Sequence, residues 1–375
     1  MKVLVLSCNT GEGHNSAARA MVENIRSHGD EAEFLDMMML SGRKVSRAVG
    51  GSYVSVVKHA PHLFHLLYKA GQKVSSSHHK SPVYYANALL AKHLEKYIKE
   101  NHFDLILTTH LFPAETLTYL KNTGRLDRKV IAVTTDYTCI PFWEETDCDY
   151  YVIPHKDLIS EFSEKGIPQW KLKPYGIPVR AVFSKERKEE EARRHCGLPK
   201  DAKVYLIMSG SMGFGKVQLF VSLLRKRIQR KEYIVVVCGN NQKLYQVLSR
   251  EFGKYPNVKI LGYTNQIASY MDAGDVLFTK PGGLTSTEAA VKEIPIIHTN
   301  PIPGCETKNF KFFSERELSI ASTNIARQIY EGRKIIREEE TRRKMREAQR
   351  QVIPKNAADK IYQLMRKLFE EERRK

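Results

Sequence analysis

Two side chains in this sequence stand where proton chemistry would need them. His14 closes the run KVLVLSCNTGEGH (Lys2–His14), in which an apolar stretch opens onto glycines; Asp136 follows the apolar start of VTTDYTCIPFWEETDCDYY (Val133–Tyr151). Imidazole is the side chain best suited to exchange a proton near neutral pH, and the start of a helix favours its neutral, base-competent form. A lone histidine beside glycine is equally compatible with a structural role. Asp136 takes the place of a ligand-facing residue at the carboxyl end of a parallel strand. There it could be a general base, could orient another base and bind an acceptor hydroxyl, or could cap a turn. Phe142 and Trp143, a little further on, could line an apolar acceptor channel or pack in the core.

A second pair of segments is suited to anions. In KVYLIMSGSMGFGK (Lys203–Lys216) an apolar run again opens onto small residues, and Gly210, Ser211, Gly213 and Gly215 could surround a diphosphate. Glycine also serves close packing of strand on helix, so the first loop alone is not decisive. Val217 follows GFGK where a P-loop needs Ser or Thr at its own spacing, which speaks against ATP hydrolysis. TKPGGLTSTEAA (Thr279–Ala290) is more pointed: Gly282 and Gly283 offer unhindered backbone donors, and Thr285 and Ser286 add hydroxyls. Glu288 could accept both ribose hydroxyls or lie on a helix surface.

These segments need scaffolds. Lys2–Ser7, Glu31–Leu35, Leu105–Thr108, Val130–Thr134 and Tyr151–Pro154 read as strands, with helices from near Asn15 to Ser27 and over Asn87–Glu100. Past GIPVRAVF (Gly176–Phe183) and a charged helix at Lys185–His195, strands recur at Val204–Met208, Ile234–Cys238, Val258–Leu261, Val276–Thr279 and Ile294–His298. Strand and helix alternate throughout, which predicts an α/β chain of two nucleotide-fold domains facing one another across a ligand. The expected domains are 1–180 and 181–345, with terminal helices over 346–375. In those helices Ile361, Leu364, Met365 and Leu368 form an apolar stripe that could pack on the first domain or belong to a solvated helix closing the second.

With 375 residues, 42% of them apolar, the chain can fill two cores. Six cysteines occur without paired metal-ligand spacing, which argues against a zinc site or a disulfide framework. No signal-peptide pattern precedes the first strand, and no apolar run approaches the roughly 20 residues of a membrane helix, so a cytoplasmic location is expected. The formal charge of +18 is concentrated: Ser41–Lys99 holds Arg43, Lys44, Arg47, Lys58, Lys69, Lys73, Lys80, Lys92, Lys96 and Lys99 against one acid, Glu95. Val54, Val56, Val57, Leu63, Phe64, Leu66, Leu67, Tyr68, Tyr84 and Tyr85 are interleaved with them. Cations beside aliphatic and aromatic side chains suit an anionic bilayer surface. The alternatives are apolar residues facing the core beneath solvated cations, and nucleic acid, which has less use for aliphatic surface.

Taken in order, LSCNTGEGHNSAA, VTTDY with the later PFW, YGIPVR, SGSMG, LGYTNQIASYM, TKPGGLTSTEA and PGCETKN resemble the diacylglycerol glycosyltransferases of glycosyltransferase family 28. These are the bacterial processive diacylglycerol β-glucosyltransferases and plant monogalactosyldiacylglycerol synthases, relatives of the enzyme that adds N-acetylglucosamine to lipid-linked peptidoglycan precursors. The resemblance spans nearly all of Met1–Asn309. It implies a GT-B fold, two facing Rossmann-like domains with an intervening cleft. It also implies a lipid acceptor such as diacylglycerol on the first domain, UDP-glucose or UDP-galactose on the second, and inversion at the anomeric carbon without a divalent metal or other cofactor.

Residue by residue, the resemblance makes His14 the catalytic base and puts Asp136 on the acceptor side. Gly210, Ser211 and Gly213 fall in the first diphosphate loop, Gly262 and Tyr263 beside uracil, and Gly282, Gly283 and Thr285 in the second phosphate loop. Glu288 matches the ribose carboxylate, and Glu306 and Asn309 match the segment near the donor sugar. Ile140 stands where related lipid enzymes commonly carry His before this Pro. The expected setting is peripheral, on the cytoplasmic face of the cell membrane, with no nucleic-acid partner. Rival readings are a transferase acting on another lipid-linked acceptor and a noncatalytic membrane protein that senses a nucleotide sugar.

Overall fold

The computed structural model describes residues 1–9, 11–42, 71, 79–209 and 216–374. The chain separates into two compact units, Met1–Ala181 with Pro303–Cys305 and Pro354–Lys375, and Val182–Ile302 with Glu306–Ile353.

The first unit is a six-stranded parallel sheet with strand order 2-1-3-4-5-6. Its elements are β1 (Lys2–Ser7), α1 (Glu12–Ser27), β2 (Glu31–Asp36), α2 (Pro82–Ala88), α3 (Ala91–Asn101), β3 (Leu105–Thr108), α4 (Leu111–Asn122), β4 (Lys129–Val133), β5 (Tyr150–Val152) and the two-residue β6 (Leu172–Lys173). The central strands β1, β3 and β4 are buried on both faces, so they read as continuous apolar runs without alternation.

The single helix expected over 87–100 is two helices, parted at Leu89–Leu90. Helix α4 has no counterpart in the sequence reading: it buries Leu111, Pro113, Ala114, Glu115, Thr116, Leu117, Thr118 and Leu120, which leaves little polar face to mark it.

The second unit is also six-stranded and parallel, with order 12-11-10-7-8-9. Among its elements are β7 (Lys203–Met208), β8 (Glu232–Val237), β9 (Val258–Leu261), β10 (Val276–Thr279), α5 (Gly283–Val291), β11 (Ile296–His298), α6 (Cys305–Glu315), β12 (Ile320–Ala321), α7 (Ile325–Arg337) and α8 (Glu339–Val352). The cores are separate. Tyr205, Phe220, Val236, Phe278 and Ile329 meet in one; Val3, Met21, Ile25, Leu107 and Val133 meet in the other.

Helix α9 (Ala357–Arg373) belongs to the first unit, where Ile361, Leu364, Met365 and Leu368 enter the core formed by Val3 and Ile25. Helix α8 stays with the second unit, so the tail changes unit at Pro354 and not at 346. Gly176 makes room for this passage. Its φ is +98, and a Cβ there would lie 2.5 Å from Pro354 Cγ.

Candidate active site

In an open parallel sheet the crevice for a ligand lies beyond the carboxyl ends of the strands, where successive connections leave in opposite directions. The first unit's switch point falls between β1 and β3, because the chain runs from β1 out to β2 and then crosses to β3. His14 follows β1 and stands in the first turn of α1, which starts at Glu12, earlier than the expected Asn15. Thr109 and His110 follow β3, and Thr135 and Asp136 follow β4. Ser7 Oγ donates to Asn15 Oδ1 at 2.8 Å, which ties the strand end to the helix start.

His14 is held through one ring nitrogen. Its Nδ1 lies 3.1 Å from the Thr109 carbonyl oxygen and 2.8 Å from Thr135 Oγ1. A carbonyl only accepts, so Nδ1 carries the proton and the neutral ring keeps its lone pair on Nε2. Thr109 Oγ1 in turn donates to the His14 backbone oxygen at 3.0 Å. Burial pushes the His14 pKa below the ordinary histidine value, opposed by the negative charge of Asp136 and the Thr109 carbonyl. His14 is thus neutral at rest, with the Asp136 carboxylate nearby.

Thr109, His110 and Thr135 are absent from the sequence candidates. Each is a polar residue within two positions of the end of an apolar strand, a place the sequence does mark. What it does not show is that β1, β3 and β4 lie side by side.

Trp143 is buried and meets Tyr151 edge-on at 6.3 Å, so it packs in the core. Phe142 is half-buried in the left-handed backbone region at φ 77. Gly71 lies against it, and a Cβ on that glycine would come within 3.0 Å of Phe142 Cζ. Burial raises the Cys8 thiol to about 12, which leaves it protonated and a poor nucleophile.

The second unit's switch point lies between β7 and β10, the strands that precede the two glycine segments. Gly210, Ser211 and Gly213 fall outside the described residues. Helix α5 begins at Gly283 after Gly282, with no side-chain cap among the described residues. Its first turn therefore presents backbone N–H groups and the positive end of the helix dipole toward an anion. Asn309 Nδ2 donates to the Pro281 carbonyl at 3.0 Å, which fixes the loop to α6. Lys280 pairs with Glu306 Oε1, and Glu306 Oε2 accepts the Ile302 N–H at 2.9 Å.

Gly282, Gly283, Thr285, Glu306 and Asn309 are thereby grouped, with Glu288 further along α5, buried and not on a helix surface. Gly262 and Tyr263 follow β9 at the sheet edge, three strands from β10, and Tyr263 is exposed. Among the described residues no group of three His, Cys, Asp or Glu is placed to hold a metal. His298, on β11, bridges Ser286 and Ser319 through its two nitrogens, each contact 2.9 Å, and burial lowers its pKa to about 3.

The basic segment can be followed only in part, since Arg43, Lys44, Arg47, Lys58, Lys69 and Lys73, with the apolar residues from Val54 to Tyr68, lie outside the described residues. Of the rest, Tyr84 is buried, whereas Tyr85 on α2 and Leu89 just after it are exposed, as are Lys92, Lys96 and Lys99 on α3. Among the described residues no helix is long and apolar enough to cross a membrane.

Known structures share this architecture. MurG from Acinetobacter baumannii has a TM-score of 0.62 at 13% identity, covering 98% of this chain and 99% of its own. HepE from Anabaena in complex with UDP-glucose has a TM-score of 0.56 at 12% identity, covering 98% and 100%. Likeness at that identity defines the class: a two-domain α/β protein of GT-B fold. The sequence narrows it. Residues 14–179 match the monogalactosyldiacylglycerol (MGDG) synthase model and residues 204–308 the glycosyltransferase family 28 C-terminal domain. A processive diacylglycerol beta-glucosyltransferase of Bacillus pumilus is 30% identical over 319 residues, 84% of this chain and 81% of the relative. The chain belongs to this family of processive diacylglycerol β-glucosyltransferases and monogalactosyldiacylglycerol synthases, within glycosyltransferase family 28.

Proposed function

We propose that this glycosyltransferase moves a hexose, glucose in preference to galactose, from a UDP-sugar to the hydroxyl of diacylglycerol, with inversion, for membrane glycolipid synthesis. The observation that carries the reading is His14: an imidazole with its lone pair on Nε2, held by Thr109 and Thr135 beside Asp136, within a chain of this family. His14 takes the proton of the acceptor hydroxyl as its oxygen attacks the anomeric carbon. The bond to UDP breaks, and its electron pair leaves on the diphosphate. Asp136 stabilises the imidazolium.

The diphosphate of the donor sits at the N-terminus of α5 and in the first glycine loop, where Gly210, Ser211 and Gly213 supply backbone donors. Glu288 accepts the ribose hydroxyls, and Gly262 and Tyr263 flank uracil. Glu306, positioned by Lys280 and the Ile302 N–H, and Asn309 hold the sugar. Helix-terminal donors offset the charge growing on UDP, so the reaction needs no divalent metal or other cofactor.

The enzyme works as a peripheral protein on the cytoplasmic face of the membrane. Exposed Tyr85 and Leu89 insert shallowly into an anionic surface and the basic segment supplies attraction. Neutralising Lys92, Lys96 and Lys99 together should weaken vesicle binding and lower turnover on vesicles far more than on detergent-dispersed acceptor; equal losses in both assays would remove this role.

The deciding experiment incubates purified protein with diacylglycerol vesicles and either UDP-glucose or UDP-galactose and identifies the lipid product by mass spectrometry. Hexosyl-diacylglycerol that disappears with His14→Ala is the expected result. UDP binding without product from either donor would overturn the acceptor and turn the search to other lipid-linked hydroxyls.

A further inference from the structure

A second imidazole stands beside His14, and capping alone does not account for it. His110 is the N-cap of α4: its Nδ1 accepts the Phe112 backbone N–H at 3.1 Å. Asn, Asp, Ser or Thr is the ordinary residue for that task. The bond fixes the tautomer, because an Nδ1 that accepts leaves the proton of the neutral ring on Nε2. The ring is buried, meets the His14 ring edge-on with centroids 4.6 Å apart and planes at 77°, and is backed by Phe112 at 4.8 Å. His14 and His110 follow β1 and β3, the two strands that flank the switch point.

We propose that His110 is a positioning residue for the base: a helix-capping imidazole that fixes the plane of the His14 ring against Thr109 and Thr135 and keeps it out of water. The inference rests on the reading of His14 as base. The groups facing His14 divide cleanly. Asp136, from the loop after β4, and the Thr109 carbonyl favour its protonation; burial beside His110, from the loop after β3, opposes it; Glu12, on its own helix, is exposed. Burial, and then the proximity of His14, hold the His110 pKa well below the histidine range, so His110 stays neutral while its neighbour cycles. It is no rival base, since its Nδ1 lone pair is engaged by the helix and its Nε2 carries hydrogen. The acceptor proton therefore goes to His14 Nε2 and not to His110.

The cap and the ring can be separated. His110→Asn keeps a good capping acceptor and removes the ring; His110→Phe keeps an edge-on ring and removes the cap. His110→Asn should retain its melting temperature within a few degrees and its KM for both substrates. Its kcat should fall about 10- to 100-fold, and the acid limb of kcat/KM should move up toward about 6.5, the unperturbed histidine value. His110→Phe should melt lower yet keep the limb in place and recover most of kcat. Ring-nitrogen NMR of the wild-type protein supplies a readout independent of any variant: His110 should show an Nε2–H tautomer that does not titrate between pH 5 and 8.

An unchanged kcat and limb in His110→Asn, losses that merely follow melting temperature in both variants, or a His110 that titrates in that range would each overturn the proposal. His14→Ala runs alongside. If it is inactive while His110→Asn is normal, only the role of His110 fails; if it is active, the base assignment falls and this inference with it.

Discussion

The two units have the same backbone solution, a six-stranded parallel sheet with its switch point beside its own first strand, and they furnish that point in opposite ways. In the first unit the loops after β1, β3 and β4 carry imidazole, hydroxyl and carboxylate, and hydrogen bonds with Thr109, Thr135 and Phe112 orient the two imidazoles. In the second, the loop after β10 carries glycine and an uncapped helix start, and its Lys280 pairs with Glu306 of α6. Proton transfer demands side chains with tunable pKa, whereas an anion is held by fixed backbone dipoles that need only be left uncovered. One topology therefore carries two different sets of groups, and the difference is made in a few residues after each strand.

The contrast can be broken from either side. The largest effect is expected from His14→Ala, a fall in kcat of about 10²- to 10⁴-fold with UDP affinity by calorimetry unchanged. Loss of UDP affinity in that variant would contradict the division of labour.

On the donor side, Gly282→Ala should leave folding intact, since φ is −72 and the nearest atom to a Cβ would be Glu306 Oε1 at 3.9 Å. It should weaken UDP binding about tenfold, or about 1.4 kcal/mol, without moving the pH profile. An affinity equal to wild type would mean the diphosphate is held elsewhere.

Asp136→Asn sharpens the acid–base side. Because Asp136 raises the His14 pKa, its removal should shift the acid limb further down and reduce kcat by about tenfold. A loss as deep as that of His14→Ala, with no histidine limb left, would make Asp136 the base.

The smallest expected effect bears on stability. Glu115 on α4 is buried, Asn87 donates to its Oε2, and its Oε1 has no hydrogen-bond partner among the described residues. Burial, reinforced by Glu145, raises its pKa to about 8. The folded form holds this proton to a higher pH than the unfolded chain, whose carboxyl titrates at about 4.3. Its contribution is therefore complete below about pH 4.3 and is lost as pH rises through about 8. Glu115→Gln, which cannot ionise, should melt higher than wild type at pH 9 and show less difference at pH 6; parallel melting curves at both pH values would contradict the assignment.

Much of this was legible in the chain. Runs such as Val3–Leu6 and Val276–Phe278 are apolar because both faces of a parallel sheet are covered, and glycine after them marks where a ligand can approach. Helix α4 escaped because it is buried on almost every side, β6 and β12 because two residues carry no pattern, and the break at Leu89–Leu90 because nothing local announces it. Trp143 read equally as a channel wall or a core residue, because an aromatic next to a ligand loop and one beneath it have the same sequence.

What the sequence determined by itself was the ten longer strands, the two glycine-bearing turns, the apolar stripe of the tail and the types of side chain available for chemistry, because these depend on local order and on which residues must leave water. Only the tertiary structure decided their company. Strand order is set by crossover connections and by packing across a whole sheet, so the placing of Thr109, His110 and Thr135 around His14, and of Asn309 and Glu306 around Pro281 and Gly282, follows from contacts between residues far apart in the chain. The proton on His14 Nδ1, and with it the free lone pair on Nε2, is a consequence of that assembly.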